Sequence, residues 1–543
     1  MLQPFRPNPK QKAVVRPAIV PAPVEGYDAS SALAAMSVKR AVQLKNWFPQ
    51  PGYVEVRRGY RYHAWDIASD TTPVESLMIW QGPASSKMFA AGGGKIWDVT
   101  ASAAATSAVT SLNGNRWQWV NMTTAAGAFL FIVNGTNAPR HYNGTSWATP
   151  SITGITASDV IHVNVHKKRL WFTLKDSTKA AYLATDAVAG AATEFNLGAN
   201  FKKGGHLVGM ATWTRDGGSG SDDYAVFLSS RGQAAVYQGT DPASASTWSL
   251  VGVFDVPTPI GRRCFHTYGA DVLLVTLEGV FPLSQILSLD SSQAGRRAIT
   301  ENISNAINEA ARSYGSLFGW ELCTYAKGTR LILNVPTAET VSAKQYVMNT
   351  LTGAWCEFDA HNANAWVVFN DNLYFAGSAD GCVYRADTGS ADIDRPITAI
   401  GQTAYQPFGN AGTNKRFSML QSLTTASGSL RPRLGMSTDF SETSVLSVQS
   451  SNSAASVTAS WDGAVWDQST WPSEGSQVND WISTPAIGRF GSIKFYAQTG
   501  ILSGGSAWGV SLWGSSLWGS QGASDQTLRI NGFVVLAEPG GYL

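Results

Sequence analysis

The chain has 543 residues, 44% hydrophobic and only 14% charged, with 53 glycines and 20 tryptophans. That length excludes a single small domain, and the composition excludes disorder driven by excess charge. Forty basic against 38 acidic side chains leave a formal net charge of +2, short of the basic excess of a dedicated nucleic-acid binder, so any DNA contact is expected to be weak or local.

Residues 1–24 carry six prolines and the basic side chains Arg6, Lys10, Lys12 and Arg16, with no acid. Proline fixes φ and removes a backbone donor, so an extended, polyproline-like arm is expected. Such an arm gains structure by docking on a neighbouring subunit or an adaptor; a frayed terminus is the alternative. Prolines also stand where a secretory signal has its apolar core, and no export signal is read. The longest apolar run, 270–283, holds Asp271, Glu278 and Pro282 and is too short to span a bilayer, so no membrane anchor is expected.

From about residue 44 to 400, short apolar runs alternate with turn dipeptides: Asn113-Gly114, Asn134-Gly135, Asn143-Gly144, Asp216-Gly217 and Asp380-Gly381. This texture predicts an all-β fold. One unit recurs, an apolar strand, a glycine-bearing turn and a second strand with an aromatic. Trp97, Tyr142, Tyr182, Tyr237, Phe281, Tyr346 and Tyr384 are its equivalent points. Their spacing is near that of four-stranded blades, which predicts a β-propeller of six or seven blades over residues 46–400. A large sandwich or two barrels would give similar strands. A capped helix is expected at 300–313, inserted into a blade, from Ile303, Ile307, Ala310 and Tyr314 at helical spacing.

The stretch Arg215, Asp216, Gly217, Gly218, Ser219, Gly220, Ser221, Asp222, Asp223 predicts a glycine-rich loop. It is a candidate mobile element at a channel or a partner surface, with an ordinary hairpin as the plainer reading. After Pro396 the chain turns to Ser, Thr, Gly and Trp, and residues 401–543 are expected to form a separate, Trp-rich β domain, with 1–45 as arm and lead-in. Trp461, Trp466 and Trp471, and then Trp508, Trp513 and Trp518, form two ladders of period five. They fit packed indoles, or else sugar stacking. Residues 527–536 predict a hairpin about Asn531-Gly532.

Signatures of catalysis are missing. Gly94-Lys95 has Phe89 and Ile96 where a phosphate loop needs Gly and Ser or Thr. No Gly-x-Ser-x-Gly elbow occurs. His162 and His166 share one face of a predicted strand but lack a third ligand nearby, and Asp387, Asp392 and Asp394 read as solvated turn carboxylates. The four cysteines are far apart and expected to be reduced and buried. No catalytic residue, metal or cofactor is therefore assigned. A glycosidase, whose paired acids can meet from distant positions, stays open as an alternative.

Leu44-Lys45-Asn46-Trp47-Phe48-Pro49 followed by Val54-Glu55-Val56-Arg57-Arg58-Gly59-Tyr60 resembles the N-terminal signature of the tail nozzle proteins of short-tailed bacteriophages, also called tail hub or packaged-DNA stabilisation proteins. The run from Val253 to Gly261, Gly279-Val280-Phe281-Pro282-Leu283 and the inserted helix are similar to that family's central region. The Trp ladders and Glu538-Pro539-Gly540-Gly541 are similar to C-terminal segments of phage tail proteins. The resemblance implies a non-enzymatic virion protein, assembled in the host cytoplasm. It implies a homo-oligomer of six around the tail axis, attached to the tail adaptor and near tail fibres or tailspikes. Such a ring encloses the DNA exit channel, holds or gates the packaged genome, and touches DNA only transiently and without sequence preference. A receptor- or glycan-binding tail propeller is the alternative role.

Overall fold

The computed structural model describes residues 16–216, 221–287, 298–427, 430–441, 476–500 and 526–539. These divide into two compact units, one of residues 58–388 and the other of residues 1–57 together with 389–543.

The 58–388 unit is a β-propeller of seven blades among the described residues, with a separate two-stranded parallel pair, Ile152–Thr153 and Gly190–Ala191. Blade 1 is Ser76–Gln81, Ser86–Gly92, Lys95–Asp98 and Thr106–Val109. Blade 2 is Gln118–Thr124, Gly127–Val133, Arg140–Tyr142 and Trp147–Ala148. Blade 3 is Val160–His166, Arg169–Leu174, Lys179–Tyr182 and Thr193–Asn196. Blade 4 is Leu207–Asp216, Ser221–Ser229, Gln233–Gly239 and Trp248–Asp255. Blade 5 has Phe265–Tyr268, Asp271–Thr276 and Gly279–Pro282. Blade 6 is Glu321–Tyr325, Arg330–Ala338, Ser342–Asn349 and Trp355–Phe358. Blade 7 is Ala363–Phe369, Asn372–Gly377 and Val383–Ala386, completed by Tyr60–Ala64 from the other end of the unit.

All seven aromatic residues singled out as equivalent points lie on the third strand of their blades, and every one is buried. The physical reason is packing between neighbours. Tyr142, for example, meets Phe89 and Trp80 of the preceding blade at ring distances of 4.9 and 5.6 Å. Each blade is apolar on both faces and buries them only against the next. Contacts between adjacent blades run from the first strand of blade 1 through to blade 7 and back to blade 1, so the ring is closed. The Tyr60–Ala64 strand seals it: Thr388 N donates to Gly59 O at 3.0 Å, joining the two ends of the unit.

The inserted helix runs Ser304–Tyr314 after a short 3-10 turn, Glu301–Ile303, and buries Ile307, Ala310 and Ala311. Thr300 does not cap it. Its hydroxyl accepts from Val280 N at 3.1 Å instead, tying the insertion to blade 5. No described helix is long and apolar enough to cross a membrane.

The second unit is built from both ends of the chain, and here three expectations need correction. First, residues 16–45, expected as arm and lead-in, and residues 46–57 and 389–400, expected in the propeller, all belong to the same unit as the C-terminal β domain, so the propeller runs over 58–388. Arg16–Pro21 is an edge strand on the final strand, Leu528–Pro539, which also pairs with Lys415–Ala426 and Tyr53–Val56. Proline is tolerated there because an edge strand has one free side. A second sheet contains Arg40–Lys45, Arg395–Thr403, Gly491–Thr499 and Arg433–Thr438. Trp47 and Phe533 of the first sheet both pack on Phe495 of the second, at 5.2 and 5.3 Å.

Second, Asn531-Gly532 is not a turn. Leu528–Pro539 continues through it with a register shift at Asn531, and a Cβ on Gly532 would stand 3.0 Å from Val20 O, so the glycine admits the backbone of the edge strand. Third, Asp392 is not a solvated turn carboxylate. It is buried and takes both Nη groups of buried Arg57 at 2.8 and 2.6 Å, while Arg57 Nε donates to Asn46 Oδ1 at 2.9 Å. Asp387 likewise pairs with Arg330 at 2.6 Å within the propeller. The Trp ladders at 461–471 and 508–518 lie outside the described residues.

Candidate functional site

The first strands of the blades all start at the same end of the propeller axis, so the residues just before them converge at one mouth. Arg263 precedes Phe265–Tyr268 of blade 5, with buried Cys264 between. Its guanidinium reaches groups of four other blades. Nη1 donates to Glu321 Oε2 at 2.6 Å (blade 6) and to Asn364 O at 3.2 Å (blade 7). Nη2 donates to Glu75 O and Ser76 Oγ at 3.0 Å each (blade 1), and to Trp117 O at 3.5 Å, beside blade 2. Planar guanidinium with five donors suits this multi-sided task better than any other side chain. The axis is thus closed at this mouth by a protein group. Burial raises the Glu321 carboxyl from its ordinary value, and Arg263 draws it back down. Trp366 N donates to Glu321 Oε1 at 2.5 Å, so both its oxygens are held.

Above this plug lies a cavity of about 550 Å³ lined by Glu75, Arg116, Asn134, Arg262, Arg263 and Phe318, among others. Arg116 Nε pairs with Glu75 at 2.7 Å, and Arg116 also pairs with Glu339. Phe318 takes both guanidinium groups near its ring, Arg116 at 4.3 Å and Arg263 at 4.8 Å from its centre. Arg262 differs. Its hydrogen bond is Nη1 to Asn134 O at 3.3 Å, and no described carboxylate lies within ion-pair distance. It also lines a smaller cavity of about 240 Å³ with Asp176 and His206. Partial burial, which strips water from the guanidinium, lowers the Arg262 pKa, Asp176 opposes that shift and Arg116 adds to it. The group nevertheless stays charged at neutral pH.

The sequence-predicted residues lie elsewhere. Arg6, Lys10 and Lys12 are outside the described residues, and Arg16 opens the edge strand of the second unit. From Arg16 onward the arm pairs with the final strand of its own chain, which offers it an unpaired edge. In blade 4, Thr214 faces Asp223, Arg215 faces Asp222 and Asp216 faces Ser221, so the expected loop is the end of a long hairpin. Gly217, Gly218 and Gly220 lie outside the described residues. Asp223 is held by Lys167 Nζ at 2.7 Å and Thr214 Oγ1 at 2.9 Å. This hairpin closes at the far end of the first strand of blade 4, away from the Arg263 mouth.

His162 and His166 are wedged between blades 3 and 4, not paired over a metal. Met210 N approaches His162 Nδ1 at 3.5 Å, and Thr212 Oγ1 lies 3.2 Å from His166 Nδ1. Burial lowers both to about 4, and His266 likewise, so all three are neutral at pH 7. Among the described residues no group of three or more His, Cys, Asp or Glu is arranged to hold a metal ion. All four cysteines are free and buried, with burial pushing Cys264 up to about 12. Sequence reading missed Arg116, Arg262, Arg263 and Glu321. The available signal was a charged residue at the start of a blade's first strand or two to three residues before it, in a chain otherwise poor in charge.

No protein-family model matches the sequence, and no curated protein matches it. Solved structures of similar fold include YCF48 bound to D1 peptide, with TM-score 0.37 and 11% identity over 66% of this chain and 99% of that one. BBS1N in complex with ARL6DN gives TM-score 0.37 and 9% identity over 61% and 98%. Raptor from Chaetomium thermophilum gives TM-score 0.37 and 11% identity over 61% of this chain and 29% of that one. The blade count stands on this chain's own strand pairing.

Proposed function

We propose that this chain is a non-enzymatic, ring-forming subunit of a bacteriophage tail nozzle. Six copies would enclose the DNA exit channel, attach to the tail adaptor, and hold or gate the packaged genome in the virion. The observation that carries the reading is the sequence of 44–60, whose residues resemble the family signature and lead directly into the strand that closes the propeller. Two features support it. Arg263 fills the propeller mouth, so a conduit for DNA belongs to the space between copies, not to the axis of one. The near-zero net charge suits passage, because each cation neutralising a phosphate adds affinity through counterion release and slows transit. Exposed Leu250 and Val251 on the outer strand of blade 4 offer such a ring an apolar contact edge.

The test is electron microscopy of the native particle and of the purified full chain. Closed sixfold rings around a central opening at the tail are expected. A chain that is monomeric in the virion, or a hydrolase activity lost on changing one carboxylate, overturns the proposal.

A further inference from the structure

We propose that the cavity at the mouth of the propeller axis binds one carboxylate side chain of a peptide segment from a partner protein, and that Arg262 receives it. The cavity, about 550 Å³, falls in the range of ligand pockets and is large enough for a few side chains. Of the three arginines in its wall, Arg263 and Arg116 are engaged by Glu321, Glu75 and Glu339, whereas among the described residues the hydrogen bond of Arg262 goes to a carbonyl and no carboxylate lies within ion-pair distance of it. A guanidinium presents a fork that matches a carboxylate in two parallel hydrogen bonds.

The surroundings set the ligand class. Glu75 stands in the same wall and Asp176 acts on Arg262 from the adjoining cavity, which Lys175 also lines, so an incoming anion meets acids as well as the one arginine of the wall that lies outside a described ion pair. A dianion such as phosphate would be repelled by these acids more strongly than a single carboxylate would, which disfavours nucleic acid and favours a monoanion. Asn113 and Gln118 add neutral amide groups to the lining, suited to the backbone of a bound peptide. Gly135 has φ +73, and a Cβ there would stand 2.5 Å from the Ile161 side chain, so a side chain is barred from this part of the wall, while Arg262 Nη1 at 3.4 Å would be in ordinary contact.

The pocket lies within the propeller and does not depend on ring formation; particle imaging and peptide binding fail separately. The probe is the blocked peptide acetyl-Gly-Glu-Gly-amide, observed by saturation-transfer NMR with the full chain, beside its Gly-Gln-Gly counterpart. The glutamyl peptide should bind and the glutaminyl one should not. Arg262→Gln should weaken binding at least tenfold with an unchanged melting temperature, and Arg262→Lys should restore part of it. No binding, equal binding of both peptides, or binding indifferent to Arg262→Gln overturns the proposal. Displacement of the peptide by equimolar inorganic phosphate or by a thymidine oligonucleotide overturns the choice of a carboxylate.

Discussion

The propeller and the two-ended β unit use the same strands and the same kinds of residue, yet they are assembled by opposite rules. Within the propeller blades, hydrogen-bonded strands follow one another along the chain, with Tyr60–Ala64 joining blade 7 from afar. In the other unit the decisive pairings are remote, Arg16–Pro21 with Leu528–Pro539 and Arg40–Lys45 with Arg395–Thr403. Local pairing gives a repeat that each blade restates; remote pairing leaves nothing to repeat. The comparison also separates two uses of a buried arginine. Arg263 gathers groups from several blades on an axis, whereas Arg57 fastens the end of one chain segment to the start of another through Asp392.

The largest effects should come from breaking these two ion pairs. Arg57→Ala leaves Asp392 buried without its partner and should cost about 3–5 kcal/mol, whereas Arg57→Met combined with Asp392→Leu should recover most of it. Hydrogen exchange should show the loss in residues 16–57 and 389–539, with the propeller spared. Arg263→Ala should cost a similar amount, about 3–5 kcal/mol, with protection lost around the blade mouths instead. If either variant loosens both units equally, the division into two independently stable units is broken.

Gly239→Ala should come next, at roughly 2–3 kcal/mol. Gly239 has φ +136, and the added Cβ would stand 1.9 Å from Thr247 O, so the backbone of blade 4 must shift. Denaturant unfolding of that variant measures the change.

Acid should then sharpen the contrast, because His162, His166 and His266 all lie in the propeller. Each has a folded pKa lowered to about 4 from 6.5. The unfolded chain therefore binds more protons between those values, so stability is lost as pH falls from 6.5 towards 4 and levels off below. Each histidine should contribute a slope approaching about 1.4 kcal/mol per pH unit. Lys167 and Asp223 flank His166 with opposing influences, so His266, shifted by burial alone, is the cleaner probe. His266→Gln should flatten the propeller's pH dependence; an unchanged slope between pH 6.5 and 4 counts against the assignment. The smallest effect is expected at Asp223→Ala, about 0.2–1 kcal/mol, since its pair with Lys167 is partly exposed to solvent.

The same contrast explains how much could be read from the sequence. The seven third-strand aromatics were legible because each fills the same inter-blade slot, so spacing alone reported the architecture. The helix was legible from Ile303, Ile307 and Ala310, but its cap was not, since Thr300 serves blade 5 instead. Asn531-Gly532 misled because a glycine that admits another backbone has the same local signature as one that makes a turn. Asp392 misled because its partner, Arg57, is remote in sequence. The axial mouth was hidden for a related reason. Glu75, Arg116, Arg263 and Glu321 come from four different blades, and only ring closure brings them together.

The pairing of Arg16–Pro21 with Leu528–Pro539 also imposes a waiting time during synthesis. The ribosome makes Arg16–Pro21 about 510 residues before its partner Leu528–Pro539, so at roughly 5–20 residues per second the strand stands unpaired for about half a minute to two minutes. During that interval it is an open edge in a crowded cytoplasm, the situation in which strands recruit the wrong neighbour. Pro17 and Pro21 remove two of its six backbone donors and bar a continuous foreign ladder. The prolines that make the segment look like a loose arm thus keep it unclaimed until its own partner emerges.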